Sequence, residues 1–434
     1  MDRRTFIGGG LLGAATFALA GCAGTLPPLD SGSETFTRPP TGTVEVWCRS
    51  ATQSGLVALV AAFNAAHPRL TVNLTPVPDA QYVTKLATSI RGGRPPDVVD
   101  IDDINSQLFI FRDAFADLTD LVQALPYFGA LSTGHLKLLE YQNRLFGIPY
   151  LADNSMLYVN TDILRNADVD LASSSISLTG LMGAAKKIRR LGGETFAWTF
   201  PGNSPGALGF VFQPHVWATG RDLITGPIGS QQGDILGNDA LEQTLDFYRQ
   251  LWTDKLVSTR AFSDDASSWG ADFRSGTVGM MPVSYGALLQ TPPEMMKKFD
   301  AVLLPGPTSG SAFFDGGDNM CIPNGAVNAG GGWEFLKFAT AMETQSALPD
   351  GGYLPVRSDV LTSEYREKYP LTVLPLENLD KGYAPQTLAY NLLINQPSGP
   401  FLRMFREAVF GSGTLPAMKA AQSGFDRILE QAQV

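Results

Sequence analysis

Between positions 43 and 101 the hydrophobic positions of the chain switch repeatedly between two periods. Residues 43–49 alternate apolar and polar side chains, as a half-buried strand does, and residues 54–67 carry apolar side chains at helical spacing up to Pro68. A second alternating run (70–74), a second helical stripe (Tyr82, Leu86 and Ile90) and a short apolar strand (97–101) follow. This order of strand, helix, strand, helix and strand predicts a parallel α/β unit.

The rest of the chain continues the same mixture of strands and helices. The pattern predicts an apolar, aromatic run at 146–160, helices at 178–191 and 239–254, a strand at 319–323 and a helix at 332–343. No internal repeat of the solenoid or propeller type is found. A chain of 434 residues is long enough for two or more lobes, and 44% hydrophobic with 17% charged residues is typical of a globular protein.

The N-terminal pattern differs from the rest and predicts export with lipid attachment. Arg3 and Arg4 precede an apolar stretch, Phe6–Ala20, and residues 19–22 (LAGC) match the lipobox of bacterial lipoproteins, in which Cys22 receives a diacylglyceryl group. The stretch is 15 residues long, whereas a membrane-spanning helix needs about 20. Residues 1–21 are therefore predicted to be a signal peptide. The sequence RRTFI also resembles a twin-arginine signal, and the general secretory route stays open as the alternative.

Composition and charge limit the partners and cofactors that the chain after the signal peptide is expected to bind. Residues 22–42 are rich in Gly, Pro, Ser and Thr, which predicts a lipid anchor with a flexible tether. The net charge of -10, without any long run of Lys or Arg, argues against nucleic acid and against electrostatic docking on anionic lipid. Only three Cys and three His occur, with no CxxC or HxxxH motif, so neither a metal nor a cofactor is expected.

Five sequence blocks, spread in order over nearly all of the mature chain, resemble one known family. They are VEVWCRS with LVALVAAFNAAHPRLTVNL, then KLATSIRGGRPPDVVDIDD, FGIPYLADNSMLYVNTDIL, FRSGTVGMMPVSYG, and the region from LLPGPTSG through FFDGGDNMCIPNGAVNAGGGWEFLKF to GGYLPVRSDV. Together they are similar to the family 1 extracellular solute-binding proteins of ABC importers, the group of maltose-binding-protein-like bacterial sugar-binding lipoproteins. Each block alone is weak, and the specificity lies in their order and spacing.

This resemblance implies a fold, a partner and a mode of action. It implies the two-lobed α/β periplasmic-binding-protein fold of type II, with lobe I at 43–151 plus 312–358 and lobe II at 152–311 plus 359–434. Crossover strands would join the lobes, and a ligand cleft would lie between them. The partners would be ABC permease subunits with a separate ATPase, because this chain has no G-x-x-x-x-G-K-[ST] motif. The protein is then expected to be an extracytoplasmic, membrane-anchored monomer and not an enzyme.

A sugar ligand requires aromatic rings that stack on C–H faces and carboxylates or amides that bind hydroxyls. Most candidates lie where the resemblance places the cleft: after the first and third strands, at the crossovers and in the GFVFQPHVWATG and GGYLP segments. The predicted ligand-binding residues are Arg49, Ser50, Asp102, Asp103, Asp153, Asn154, Gln213, Trp217, Ser284, Tyr285, Gly317, Asp318, Asn319 and Tyr353.

Several of these residues have an alternative structural role. Asp102 and Asp103 would equally cap the next helix, Arg49 would pair with a structural carboxylate, and Asp318 with Asn319 would cap a strand. Core packing is the favoured role for Phe210, a further aromatic residue of the GFVFQPHVWATG segment. Tyr285 stands near the position where many relatives carry Trp, so the resemblance implies that it is the stacking surface.

Three other functions are weighed against sugar binding. Glycerol 3-phosphate or a glycerophosphodiester is the main alternative, with Arg49 and Arg357 as the cations for its phosphate, and a peptide ligand is more distant. The third alternative is a secreted hydrolase, which is considered because residues 202–206 match the G-x-S-x-G motif of a nucleophilic serine. In that motif Pro205 has no N–H for an oxyanion hole, and no His lies beyond His215 to complete the usual Ser–Asp–His order.

The two cysteines of the mature domain, Cys48 and Cys321, face an oxidising compartment, which would favour a disulfide. The resemblance implies, however, that the 97–101 strand lies between the strands that carry them. Strands two positions apart stand about 9.6 Å from each other, beyond the roughly 7 Å limit between Cα atoms of a disulfide. Both are therefore predicted to be free and buried.

Overall fold

The computed structural model describes residues 28–171 and 176–432. The predicted signal peptide, residues 1–21, and the predicted lipidation residue, Cys22, lie outside the described residues. None of the helices within the described ranges is long and apolar enough to cross a membrane.

The strands belong to two separate main sheets and two small hairpins. They are β1 (Gly42–Arg49), β2 (Leu70–Val77), β3 (Val98–Asp102), β4 (Glu140–Tyr141), β5 (Arg144–Leu145), β6 (Ile148–Asn154), β7 (Met156–Asn160), β8 (Phe196–Trp198), β9 (Ile224–Thr225), β10 (Gln232–Gly233), β11 (Val278–Val283), β12 (Phe299–Val302), β13 (Leu304–Pro305), β14 (Ser311–Cys321) and β15 (Gly382–Tyr383).

The α-helices cover the faces of these sheets. They are α1 (Glu34–Thr37), α2 (Gln53–Ala66), α3 (Asp79–Arg91), α4 (Asp103–Phe111), α5 (Thr119–Gln123), α6 (Thr133–Leu139), α7 (Thr161–Asn166), α8 (Leu178–Arg189), α9 (Pro205–Trp217), α10 (Asp239–Thr253), α11 (Ala271–Arg274), α12 (Pro293–Met296), α13 (Ala329–Ala339), α14 (Met342–Ala347), α15 (Ser363–Lys368), α16 (Val373–Glu377), α17 (Pro400–Phe410) and α18 (Thr414–Ala432).

The first lobe is built on a sheet of order β13-β14-β3-β1-β2, with β6 and β15 also paired to β14. Strand β1 runs parallel to β2 and β3, whereas β14 returns antiparallel to β3 and β6. Because β1 and β3 are parallel, their carboxyl ends, Arg49 and Asp102, lie at one edge of the sheet. That edge is where α/β folds bind ligands.

The second lobe is built on a sheet of order β12-β7-β11-β8. Helices α8, α9, α10, α17 and α18 pack around it and against one another. Its core is rich in aromatic rings, among which Phe200, Phe212 and Tyr248 are fully buried and meet edge to face or tilted. The two-lobed α/β arrangement predicted from the sequence is thereby confirmed.

Two of the connections between the lobes are made by strands. Strand β6 passes into β7 through Ser155, and β14 runs alongside, with the Ser155 hydroxyl accepting a hydrogen bond from the Phe314 N–H at 2.9 Å. The strands meet most closely at Gly317, whose φ is +144° and where a Cβ would lie 2.1 Å from the Leu151 carbonyl oxygen. Only glycine fits this position, so the contact between crossovers depends on it.

Cys48 and Cys321 are both fully buried and free. Strand β3 lies between β1 and β14, which carry them, as the sequence argument requires. The two residues therefore act as small apolar side chains of the first-lobe core.

Three boundaries differ from the sequence predictions. The strand predicted at 319–323 is β14, which begins eight residues earlier, because its N-terminal half belongs to the crossover. The helix predicted at 332–343 is divided into α13 and α14 near Thr340, whose hydroxyl bonds back to the Leu336 carbonyl at 2.9 Å. Residues 29–41, predicted to be part of a flexible tether, instead lie against the first lobe, where the Leu29 N–H donates to Asn324 Oδ1 at 2.8 Å.

Candidate functional site

A cleft of about 320 Å³ lies between the lobes, at the carboxyl ends of β1 and β3. One wall comes from the first lobe and the crossovers, and its lining residues are Arg49, Ala51, Asp102, Asp103, Ile104, Leu151, Asp153, Gly316, Gly317, Asp318 and Tyr353. We call this set the acidic wall. The facing set, the aromatic wall, comprises Gly206, Phe210, Phe314, Tyr390 and Asn395.

Arg49 is the central cation of the acidic wall and is already bound by carboxylates. Its Nε donates to Asp318 Oδ2 at 2.8 Å, and its Nη2 pairs with Asp318 Oδ1. Its Nη1 lies 3.4 Å from Asp102 and 3.5 Å from Asp79. A guanidinium held in this way is oriented by the protein and has little capacity left for an anionic ligand.

Three carboxyl groups of the acidic wall have raised pKa values. Burial raises the pKa of Asp153 to about 6, although a hydrogen bond from Ser284 and the nearby Arg49 oppose the rise. Burial likewise raises the pKa of Asp102 to about 6, opposed chiefly by Arg49. The pKa of Asp103 is raised well above its ordinary value by burial and by Asp102. Perturbed carboxyl groups in an interlobe cleft are typical of a functional site.

Beneath the acidic wall lies a buried polar network. The fully buried Asp315 accepts hydrogen bonds from the Ser132 hydroxyl and, at 3.1 Å, from Asn154 Nδ2. His135 Nε2 donates to the Gly316 carbonyl at 3.0 Å, which assigns its proton to that nitrogen, and lies 3.5 Å from Asp103 Oδ2. These bonds hold Asp315 and Gly316 in place beneath the cleft.

The aromatic wall is assembled from segments that are distant in sequence. Phe210, on α9, packs against Phe314 of β14 with 5.2 Å between ring centroids. Gln213, one turn further along α9, donates from Nε2 to the Tyr390 hydroxyl at 2.7 Å. Tyr353 closes the cleft from the opposite lobe, with its hydroxyl bonded to the Ala51 carbonyl at 3.2 Å. The cleft therefore offers aromatic rings to one side of a ligand and carboxylates to the other.

The structure brings half of the predicted residues into the cleft lining: Arg49, Asp102, Asp103, Asp153, Gly317, Asp318 and Tyr353. Three others support the lining from behind. Ser284 bonds to Asp153, Gln213 bonds to Tyr390, and Asn154 bonds to Asp315. Direct contact of any of these residues with a ligand stays a prediction.

Four predicted residues lie away from the cleft lining. Tyr285, expected as the stacking surface, is only 9% exposed and packs in the core cluster of the first lobe. Asn319 is buried on the opposite face of β14, where it donates to Ser106 at 3.4 Å, because successive strand residues point to opposite faces. Trp217 packs on Tyr383 with 4.5 Å between ring centroids and donates to Asp222. Ser50 is exposed beyond the end of β1.

Other lining residues were missed by the sequence prediction. Phe210, for which core packing was the favoured role, packs against the second-lobe core and also borders the cleft. Gly206 reaches the cleft because the G-x-S-x-G segment forms the start of α9. Tyr390 and Asn395 carry no local signal, since only the tertiary fold brings this distant segment against α9.

A larger groove of about 720 Å³ lies elsewhere on the second lobe, along α7 and β12. Its lining is largely apolar, with Leu164, Val169 and Leu374 among its side chains. The smaller cleft is the candidate ligand site, because polar groups from both lobes converge there.

Comparisons with known proteins agree with this geometry. A family described as bacterial extracellular solute-binding protein matches residues 58–372. The lactose-binding protein of Rhizobium radiobacter is 24% identical over 233 residues, 52% of each chain. The sugar-binding protein MalE of Xanthomonas citri is similar in fold, with a TM-score of 0.79, 18% identity, and coverage of 90% of this chain and 98% of that one. UgpB of Mycobacterium tuberculosis, solved with glycerophosphocholine, has a TM-score of 0.69 at 19% identity, covering 90% and 99%.

Proposed function

Because this chain belongs to the bacterial extracellular solute-binding proteins, we propose that it captures a carbohydrate, a sugar or short oligosaccharide, for uptake by an ABC importer. The two lobes close on the ligand and present it to the permease subunits, whose transport is driven by a separate ATPase. The protein works by binding and release, without chemistry of its own.

The observation that carries this proposal is the pairing of an acidic wall with an aromatic wall across one cleft. Hydroxyl groups of a sugar donate to carboxylates, and such bonds are strengthened by the charge of the acceptor. The C–H faces of the same sugar pack on aromatic rings such as those of Phe210 and Tyr353. A volume of about 320 Å³ is at the low end of the range for small-molecule sites and favours a mono- or disaccharide over a long oligomer.

The cations proposed for a phosphate ligand are both engaged elsewhere. Arg49 is held by Asp318, Asp102 and Asp79. Arg357 is buried, pairs with Asp359 and donates to the Thr340 carbonyl at 2.8 Å, away from the cleft. Among the described residues that line the cleft, Arg49 is the sole cation. Sugar is therefore preferred to glycerol 3-phosphate or a glycerophosphodiester, and the likeness to UgpB concerns the fold.

A thermal-shift screen of residues 23–434, the mature chain without its lipidation residue Cys22, tests the ligand class. The panel should contain neutral mono- and disaccharides, glycerol 3-phosphate and glycerophosphocholine. A true ligand at 100 times its Kd adds about 2.7 kcal/mol to the free energy of unfolding. Stabilisation by one or more sugars supports the proposal, whereas stabilisation by the phosphate compounds alone would replace it with the alternative.

We further propose that the protein is a lipoprotein, anchored outside the cytoplasm through Cys22 after removal of residues 1–21. The motivation is the LAGC sequence at 19–22. Cell fractionation of Cys22→Ala should show release from the membrane fraction, with Cys48→Ala as the matched control that stays membrane-bound. Membrane partition of Cys22→Ala equal to that of the wild type would exclude this anchor.

A further inference from the structure

The acidic wall has more carboxyl groups than cationic groups. It contributes four carboxyl groups, Asp102, Asp103, Asp153 and Asp318, and one guanidinium, Arg49. Arg49 already forms ion pairs with Asp318 and Asp102, and with Asp79, which does not line the cleft. Asp153 has no ion-pair partner among residues 28–171 and 176–432, although Arg49 is near enough to favour its charged form. The acidic wall thus contains carboxyl groups that do not pair with Arg49 and that could bind a cationic group of a ligand.

Asp103 provides a second, independent observation. Its side chain is only 1% exposed, and its Oδ2 has no hydrogen-bond donor within the described part of the chain. Oδ1 accepts from the Ile104 N–H at 2.7 Å. The basic nitrogen near Oδ2, His135 Nε2 at 3.5 Å, directs its proton to the Gly316 carbonyl. Buried acceptors without a donor are uncommon in native proteins, and the residue that carries this one lines the cleft.

The aromatic wall is also suited to a cation. Phe210, Phe314 and Tyr390 border the same space, and Tyr353 faces it from the first lobe. The Lys and Arg side chains of the described residues that stack on rings do so on other aromatics, such as Trp47, Tyr127 and Phe262. A ligand cation between the walls would therefore meet, on one side, aromatic rings on which no Lys or Arg of the described residues stacks, and carboxylates on the other.

We propose that the ligand is an amine-bearing sugar, whose protonated amine is held by Asp103 and Asp153. This inference rests on the proposed function, because it assumes that the ligand is a sugar and adds that the sugar carries a positively charged amine. A carboxylate that pairs with an ammonium group discriminates between an amine and its neutral counterparts, since N-acetylation removes the charge while keeping the ring.

Titration calorimetry at pH 7 with two matched series tests this proposal. The first series is glucose, glucosamine and N-acetylglucosamine, and the second is cellobiose, the glucosamine disaccharide and its diacetyl form. In at least one series the amine should bind at least tenfold more tightly than both neutral members. Raising NaCl from about 50 to about 500 mM should weaken the amine more than the neutral sugars, because salt screens charge.

Substitutions of Asp103 and Asp153 test whether these two carboxyl groups cause the preference for the amine over the neutral sugars. Asp103→Asn and Asp153→Asn should each reduce the amine-to-neutral affinity ratio at least fivefold. Asp254→Asn, an exposed carboxyl that pairs with Lys186 and does not line the cleft, should leave the ratio unchanged. Circular dichroism establishes that each variant is folded.

The outcomes separate this inference from the function on which it rests. Neutral sugars that bind as tightly as the amines overturn the amine proposal and leave sugar binding in place. Binding of putrescine or spermidine, added as sugar-free amines, with no sugar bound, supports the cation site and overturns the sugar function. Failure of every sugar and every amine contradicts both proposals.

Discussion

The two walls of the cleft are built on different principles. In the acidic wall, the charged side chains lie on the strands of the first-lobe sheet or directly after them, and neighbouring charges fix them: Asp318 holds Arg49, and Arg49 in turn faces Asp102. In the aromatic wall, rings from α9 and from the segment around Tyr390 meet through packing and the bond from Gln213. The acidic wall is thus rigid and sets orientation, whereas the aromatic wall contributes contact area.

The largest effect is expected from Asp318→Ala, which removes the main partner of Arg49. Asp318 is fully buried, and breaking a buried pair typically costs about 3–5 kcal/mol. We expect a loss near the lower figure, because the removal also relieves repulsion of Asp100 and Asp102. Urea unfolding measures it, with Asp254→Ala as the control, which should cost less than about 1 kcal/mol. Equal losses in the two variants would show that the acidic wall is not held by this pair.

A smaller effect, on affinity and not on folding, is expected from Asp153→Ala. If Asp153 binds ligand donors, each lost bond to this charged group is worth roughly 1.5–3 kcal/mol, so affinity should fall at least tenfold. The fold should be retained, because Asp153 has no ion-pair partner whose charge would be left buried within the described ranges. Calorimetry with the ligand from the screen decides this, and wild-type affinity would remove Asp153 from the site.

In the aromatic wall, Phe210→Leu should weaken binding about two- to tenfold. Leucine keeps most of the apolar volume beside Phe314 but loses the ring face, and ring contacts are worth about 0.5–1.5 kcal/mol beyond their area. Phe247→Leu, a ring in the second-lobe core outside the cleft lining, is the matched control for affinity. If Phe210→Leu and its control bind equally well, the aromatic wall plays no part in recognition.

The smallest expected effect is a pH dependence of folding stability, to which Asp102 and Asp153 of the acidic wall contribute. Asp102 and Asp153 have pKa values of about 6 in the folded protein, against about 3.9 for an unfolded chain. Between pH 4 and 6 the folded state therefore binds more protons than the unfolded state, and these groups lower stability as the pH rises. The Asp102→Asn/Asp153→Asn double variant should flatten that part of a Tm-against-pH curve. An unchanged slope would mean that neither carboxyl is perturbed.

The difference between the walls also explains what could be predicted from the sequence. Asp102 and Asp103 were predicted because they follow a short apolar strand, and parallel strands end at a common edge. Asp153 was predicted because the family resemblance places its segment at a crossover between the lobes. Tyr390 and Asn395 could not be found in this way, since no local pattern marks a residue whose position depends on contacts with α9 some 180 positions earlier. Tyr285 was wrongly expected in the cleft because family spacing locates a segment but not the direction of its side chains.

The fold was more predictable than the site. The five elements predicted between positions 43 and 101 are present in the structure, with boundaries within a few residues of those predicted from the hydrophobic periods. The order of β1, β3 and β14 in the sheet is also the predicted one. The packing of residues 29–41 against the first lobe was not predictable from composition. A Pro- and Ser-rich segment with few large side chains still docks when Leu29 and Phe36 make apolar contacts.

The central claim is that both walls bind one ligand together. A crystal structure of the complex with the sugar selected by the screen tests it most directly. We expect the sugar between the lobes, with hydrogen bonds to Asp103 or Asp153 and ring contact with Phe210 or Tyr390 in the same complex. A ligand bound in the groove along α7 and β12, or one that touches a single wall in closed lobes, would contradict this account.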